Sequence, residues 1–386
     1  MNRRDFLEGI GAAGLSLLVH PALARQQRTQ GYGNLLVLVE LKGGNDGLNT
    51  VIPFADPQYA ALRPRIGIAR DRVLMLDEKA GFHPALAPLM PLWKGGELAV
   101  LQGVGYPEPN LSHFRSIEIW DTASASNQTL DDGWLTRAFA QAPPPRSFAA
   151  DGVVVGSAEA GPLDGTGARV ITLANTEQFL RQAKLANNEG RSRNAALDHI
   201  LEVEQDIVQA AQGLGSPVRL ATPFPGGAFG GVVRTACEAI ASRGGVAAVR
   251  LSLGGFDTHS NQQATQERLL GELAAGLVAL RAAMQELNRW ESTLVVTYAE
   301  FGRRPRENQS GGTDHGTANA HLVLGGAVGG GLYGAPPKLD RLDATGNPGF
   351  AIDFRSVYAT VLERWWGQPS QAILKGRFPL VGGLLR

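Results

Sequence analysis

The sequence predicts an α/β fold, a mostly parallel sheet flanked by helices on both faces. Three observations predict it: four apolar runs of strand length rich in β-branched residues, helical patterns between them, and a polar loop directly after each run. A strand covered on both faces reads as a continuous apolar run because neither side meets water.

The four runs are Leu35 to Leu41 (LLVLVEL), Leu98 to Val104 (LAVLQGV), Val246 to Leu253 (VAAVRLSL) and Thr293 to Tyr298 (TLVVTY). A fifth, His321 to Leu324, is expected to add an edge or late strand. Helical patterns at Pro84 to Trp93 and Ser112 to Ala123 fall between the first and third runs. The long segment Asn261 to Trp290 joins the third to the fourth, and Phe354 to Trp366 reads as a helix near the C-terminus. The stretch from about 142 to 225 has another texture: a proline cluster (APPPRS), glycine-rich turns, then a polar helical segment from Thr176 to Leu214. It is expected as an insertion or cap on one domain covering 25–386.

Composition narrows the partners. A chain of 386 residues with 44% hydrophobic content can bury a substantial core. Lys plus Arg equals Asp plus Glu, 36 each, so no overall charge points to nucleic acid or an anionic membrane. Cys237 is the only cysteine, which rules out an intramolecular disulfide and a cysteine-based zinc cluster. Its segment, VVRTACEAIAS, is helix-like and suits a small buried filler.

The N-terminus carries Arg3 and Arg4, an apolar stretch from Ile10 to Val19 too short to span a bilayer, and then Ala22-Leu23-Ala24. This is the layout of a cleavable signal over residues 1–24. The paired arginines followed by Asp5-Phe6-Leu7 resemble a twin-arginine signal. The expectation is a periplasmic or secreted bacterial protein that meets the twin-arginine export machinery in transit and keeps no stable membrane anchor after cleavage.

In open α/β sheets, ligands bind outside the carboxyl ends of the strands. Here each run discharges into a loop carrying carboxylate, imidazole or hydroxyl groups. Asp46 follows the first, Ser112 the second, Asp257 and His259 the third, and Glu300, Arg303, Asp314 and His315 the fourth. Taken singly, Asp46 closes a turn and Ser112 caps a helix. Taken together, they describe one shared site. Imidazole and carboxylate without thiolate suit a divalent metal, zinc or manganese first, magnesium or calcium after them.

At these residues the chain resembles the alkaline phosphatase-like superfamily, and more closely the secreted domain-of-unknown-function 1501 family placed near it. The closer resemblance runs through KGGNDGLNTVIP, GFHPALAPL, NLSHFRS, DGWL, GGFDTHSNQ and EFGRRPRENQSGGTDHG, over nearly the whole chain. It implies an alkaline phosphatase-like fold and a nucleophile at a helix N-terminus beside two metal ions, acting on phosphate or sulfate esters. It implies Asp46 as a ligand of one metal, Ser112 as nucleophile, and Asp257 and His259 as ligands of the other metal. The short Asp-x-His spacing departs from the family's pattern and leaves one of that pair in doubt as a ligand. TLVVTYAEFGR resembles the phosphatases' strand ending in Thr-Ala-Asp-His, which sets Glu300 on the aspartate and Phe301 on the histidine. Phenylalanine cannot coordinate, so the site is short of one ligand. His315 is the later carried-over ligand, and Asp314 either takes the missing place or orients His315.

His113 is expected to assist as acid or base. Arg115 stands either as an anion clamp or as a solvated arginine. His83 and His321 are expected to be structural. LSHFRS lacks the proline of a formylglycine sulfatase motif, and no Gly-x-Ser-x-Gly elbow surrounds Ser112. The expected protein is an exported metal-dependent hydrolase acting on a small anionic ester or polyanionic substrate. The alternative is a non-catalytic exported binding protein on the same scaffold.

Overall fold

The structure is a computed structural model that describes residues 31–183, 195–215 and 218–386. The expected signal at residues 1–24 lies outside the described residues, as does part of the polar helical segment. Eleven strands concern the site and its support: β1 (Leu35–Lys42), β2 (Leu98–Gly105), β3 (Ala150–Val155), β4 (Val170–Leu173), β5 (Val246–Gly254), β6 (Thr293–Tyr298), β7 (Gly302–Glu307), β8 (Thr313–Gly316), β9 (Asn319–Leu324), β10 (Gly331–Gly334) and β11 (Ile352–Asp353). Nine of them make one sheet in the order β10-β2-β9-β6-β1-β5-β3-β4, with β11 also on β2, while β7 and β8 form a separate hairpin.

Every pair in the large sheet is parallel except those of β9, which runs antiparallel to β2 and β6. The fifth apolar run is therefore an interior, reversed strand and not an edge. Its reversal needs no crossover helix, because the β7–β8 hairpin returns the chain directly.

Alternate residues of β1 enter different cores. Leu36 and Leu38 join the cluster under α1 (His113–Thr122), α2 (Trp134–Gln141) and α5 (Phe354–Thr360). Leu35, Val37, Val39 and Leu41 join the cluster under α3 (Gly227–Ile240) and α4 (Gln262–Glu286). Helices thus cover both faces, as the unbroken apolar runs require. Each fully buried Leu or Val contributes roughly 1.5–3 kcal/mol relative to exposure. On α4 the buried Leu269, Leu270, Leu273, Leu277, Leu280 and Met284 recur at three- and four-residue steps, giving one apolar stripe against the sheet. Cys237 is buried in α3, as expected of a filler, and burial pushes its thiol up to about 12.

Part of 142–225 supplies β3 and β4, two parallel strands that extend the main sheet beyond β5. The strand at ADGVVV was hard to read because Asp151 and Gly152 interrupt its apolar run. Asp151 is held there by an ion pair with Arg169 at 2.6 Å.

The parallel strands bring the loops after β1, β2, β5 and β6 to one edge. Reversed β9 begins at that edge, since Asn319 pairs with Val104 near the end of β2. The β7–β8 hairpin, with Arg303 opposite His315, belongs to the same edge.

Candidate metal centre

Ser112 is the N-cap of α1, and its side chain makes no capping bond. The helix starts at once with His113, whose ring is half-buried. The hydroxyl of Ser116 donates to the Glu300 carbonyl, fastening α1 to the loop after β6. Glu300 itself is buried; it accepts the Gly43 N–H at 2.9 Å and lies 2.8 Å from Nδ1 of His113. A carboxylate only accepts, so Nδ1 is the donor, and in the neutral ring Nε2 keeps a lone pair. That Nε2 lies 3.5 Å from Oδ2 of Asp257.

His315 is set the same way. Its Nδ1 donates to the carbonyl of Leu111 at 2.8 Å, leaving its Nε2 as an acceptor 3.3 Å from Oδ1 of Asp257. Asp257 is in turn gripped by the buried Arg303 at 2.6 Å, whose guanidinium also donates to the carbonyls of Gly43, Gly44, Phe256 and Thr313. Ligand atoms of His113, Asp257 and His315 all lie within 4.8 Å of one another. Two imidazole nitrogens and a carboxylate thus face one another across a gap that one ion can span. Three acceptors in that arrangement repel unless a cation or proton stands among them, and the donor set fits zinc or manganese.

Proton affinities are set by the same contacts. The bond to Glu300 raises the His113 pKa, against the effect of burial. Burial lowers that of His315, opposed by the Leu111 carbonyl. Burial works to raise the Asp257 pKa, but the Arg303 bond and charge outweigh it, and the carboxyl falls below its ordinary value.

His259 is exposed, with Nε2 3.0 Å from both Oδ1 of Asp257 and Nε2 of His315. It stands beside the triad, within reach of the same cation. Asp314 is exposed, 3.5 Å from Nδ1 of His259, and so touches His259, where either the missing ligand place or orientation of His315 was expected. The carbonyl of Leu111 fills that role. Phe301 fills the place expected of a histidine by packing its ring on His315 at 4.5 Å and His113 at 4.9 Å between centroids.

Four of the expected site residues have other partners in the structure. Asp46 is buried at the start of the short helix Gly47–Thr50, where it accepts from Leu48 N–H, Gln262 and Arg63, the last at 3.0 Å between Nη2 and Oδ1. Its oxygens face these donors, and it is not one of the three residues whose ligand atoms converge. Glu300 is bonded to the His113 ring. His113, expected as acid or base, takes a place among the ligand atoms. Arg115 is no anion clamp: it donates to the carbonyls of Ala125, Ser126 and Gln128 and pairs with Glu118 at 2.7 Å, closing the loop after α1.

The structural histidines behave as expected. His83 is buried and accepts the Ala85 N–H at 3.1 Å. His321 is buried in β9. What sequence reasoning missed was that His113 converges with Asp257 and His315, and its signal was present: a histidine at the first position of a helix that follows a strand end.

A family model described as "Protein of unknown function (DUF1501)" matches residues 78–376. No curated protein matches the sequence. Among solved structures, the chain is similar to a protein in the alkaline phosphatase superfamily from Vibrio parahaemolyticus, at 11% identity over 91% of this chain and 70% of that one, with a TM-score of 0.43. It is similar to the lipoteichoic acid synthase LtaP from Listeria monocytogenes at 8% identity, over 91% and 74% of the chains, with a TM-score of 0.41. The C-terminal periplasmic domain of EcEptC from Escherichia coli, in complex with Zn, is similar at 10% identity over 78% and 74%, with a TM-score of 0.37.

Proposed function

The chain belongs to the DUF1501 family, and on that premise we propose that it is a metal-dependent hydrolase of phosphate or sulfate esters working with one cation. The observation that carries the reading is the convergence of His113, Asp257 and His315 immediately beside Ser112, an exposed hydroxyl at a helix start.

His113 and His315 would hold the cation through Nε2 and Asp257 through its carboxylate, with His259 in reach. Bound there, a divalent cation supplies a Lewis acid for the ester oxygens and lowers the pKa of a neighbouring hydroxyl. The chain supplies the rest. The first backbone N–H groups of α1 and its positive dipole end favour an anionic ester at Ser112. The Ser112 hydroxyl forms a bond to phosphorus or sulfur, the ester's alcohol oxygen departs and takes up a proton, and water then releases the group from serine. Glu300, Leu111 and Arg303 keep the three ligand groups aimed throughout.

The second reading, a binding protein that keeps one cation without turnover, is favoured by Asp46 and Arg115. Both are spent on internal contacts, so neither a second metal nor an anion clamp is built from them. The sequence pattern at Arg3 and Arg4 supports export by a twin-arginine route for either reading. Among the described residues no helix is long and apolar enough to cross a membrane.

The test is to measure metal in purified mature protein and then assay aryl phosphate and sulfate esters with zinc, manganese or magnesium. Stoichiometric metal with turnover abolished by Ser112→Ala supports the hydrolase. Metal without turnover gives the second reading, and inert, metal-free protein that takes up no added cation sinks both.

A further inference from the structure

A cleft enclosing about 530 Å³, open solvent included, shares a wall with the candidate metal centre. The shared wall is Phe301, whose ring rests on His113 and His315. A second wall is the segment Gly105 to Pro109, which leads within a few residues to Leu111, the holder of His315, and to Ser112. Tyr106, Trp120 and Phe350 add aromatic surface, and Pro107, Pro109 and Pro348 add rigid apolar rings.

Its charge is one-sided. Glu108 and Asp343 line the cleft, while no Lys, Arg or His does. Asp343 stays ionised at neutral pH, since the N–H of Asn347 above all, with Thr345, holds its carboxyl below the ordinary value. Glu108 is exposed and pinned at φ 53° beside Pro109.

We infer that this cleft receives the alcohol portion of the ester and selects an uncharged aromatic ring there, while Glu108 and Asp343 turn away esters whose alcohol carries a second negative charge. The inference rests on the hydrolase reading for its ester, but the ring site stands on its own geometry. A flat ring finds aromatic and proline faces on several sides, and burying it removes apolar surface from water on both partners. A carboxylate or further phosphate on the same ring meets two like charges with no compensating cation. Substrates with one anionic group are thereby preferred to polyanions.

Gly349 gives a clean probe. It lines the cleft, its φ is not positive, and a Cβ built on it meets nothing within 4 Å, so a large side chain is accommodated without backbone strain. The experiment uses the full-length metal-loaded protein and stable phosphonates, with binding measured by calorimetry or ligand-observed NMR, so that no turnover is required. Phenylphosphonate is expected to bind about tenfold or more tightly than methylphosphonate. 4-Carboxyphenylphosphonate should lose most of that advantage, and Glu108→Gln should return part of it. Gly349→Trp should bring the phenyl-to-methyl ratio close to one, and Phe350→Ala, at an exposed position, should lower it.

A ratio near one in the unaltered protein overturns the inference, as does a ratio that Gly349→Trp and Phe350→Ala both leave intact. Phenol alone separates the two proposals. If phenol binds and Gly349→Trp abolishes that binding while no phosphonate binds, the ring site stands and the ester reading fails. If neither phenol nor any phosphonate binds, the ring site fails.

Discussion

His113 and Glu300 are 187 positions apart in the chain, yet Nδ1 of the imidazole lies 2.8 Å from Oε1 of the carboxylate. This contact fixes which nitrogen faces Asp257. Glu300→Gln keeps the side-chain shape but removes the charge that draws the Nδ1 proton, so cation affinity should fall about 10- to 100-fold. Competition against a chelator of known affinity measures it; an unchanged dissociation constant would mean that Glu300 does not set the ring.

Removing a ligand and removing its former rival should have opposite signatures. His113→Ala, Asp257→Ala or His315→Ala should abolish stoichiometric zinc uptake with little change in urea midpoint, because these groups are at least partly exposed. Asp46→Asn should do the reverse. It leaves the fully buried Arg63 guanidinium without its countercharge, a loss of about 3 kcal/mol or more, while the cation site stays loaded. Metal loss in Asp46→Asn with unchanged stability would restore Asp46 as a ligand.

Phe301→His tests whether the imidazole at position 113 stands in for the one missing at 301. The Phe301 ring already touches both histidine rings of the cluster. An imidazole there should tighten zinc binding by about tenfold, as expected for one added nitrogen donor. Weaker binding in this variant would show that the apolar ring is needed to pack the ligands.

A pH effect on stability should arise away from the site. His321 is buried in β9 with no hydrogen-bond partner among the described residues for either ring nitrogen, and burial pushes its pKa down to about 3. The unfolded chain, with the ordinary value near 6.5, binds this proton more readily. Its contribution is therefore fully present above about pH 6.5 and is lost as pH falls from there toward 3, by up to roughly 5 kcal/mol. His321→Leu should flatten the pH dependence of the urea midpoint between pH 7 and 4. A slope equal to that of the unaltered protein would disprove the assignment.

The fold was legible where strands are buried on both faces, because β1, β2, β5 and β6 write their burial as unbroken apolar runs. Loop positions at the strand ends were legible too, which is why Asp257 and His315 could be named. Which oxygens and nitrogens remain free was not. Asp46 looks like a ligand until Arg63, seventeen positions on, is seen to occupy it, and that pairing depends on how a buried helix and a hairpin pack. His113 was readable only as a neighbour of Ser112, since its partner Glu300 comes from another strand end. The reversed direction of β9 left no trace in its own residues, being decided by the short return through β7 and β8.

That short return has an evolutionary consequence. Residues 298–319 leave the sheet edge and re-enter it as a single excursion, carrying Glu300, Phe301, Arg303 and His315 together. Insertions or exchanges within the tip between β7 and β8 leave both anchoring strands in register. Change can thus be confined to the tip, because Glu300, Phe301 and Arg303 are buried and tied to the edge beneath it.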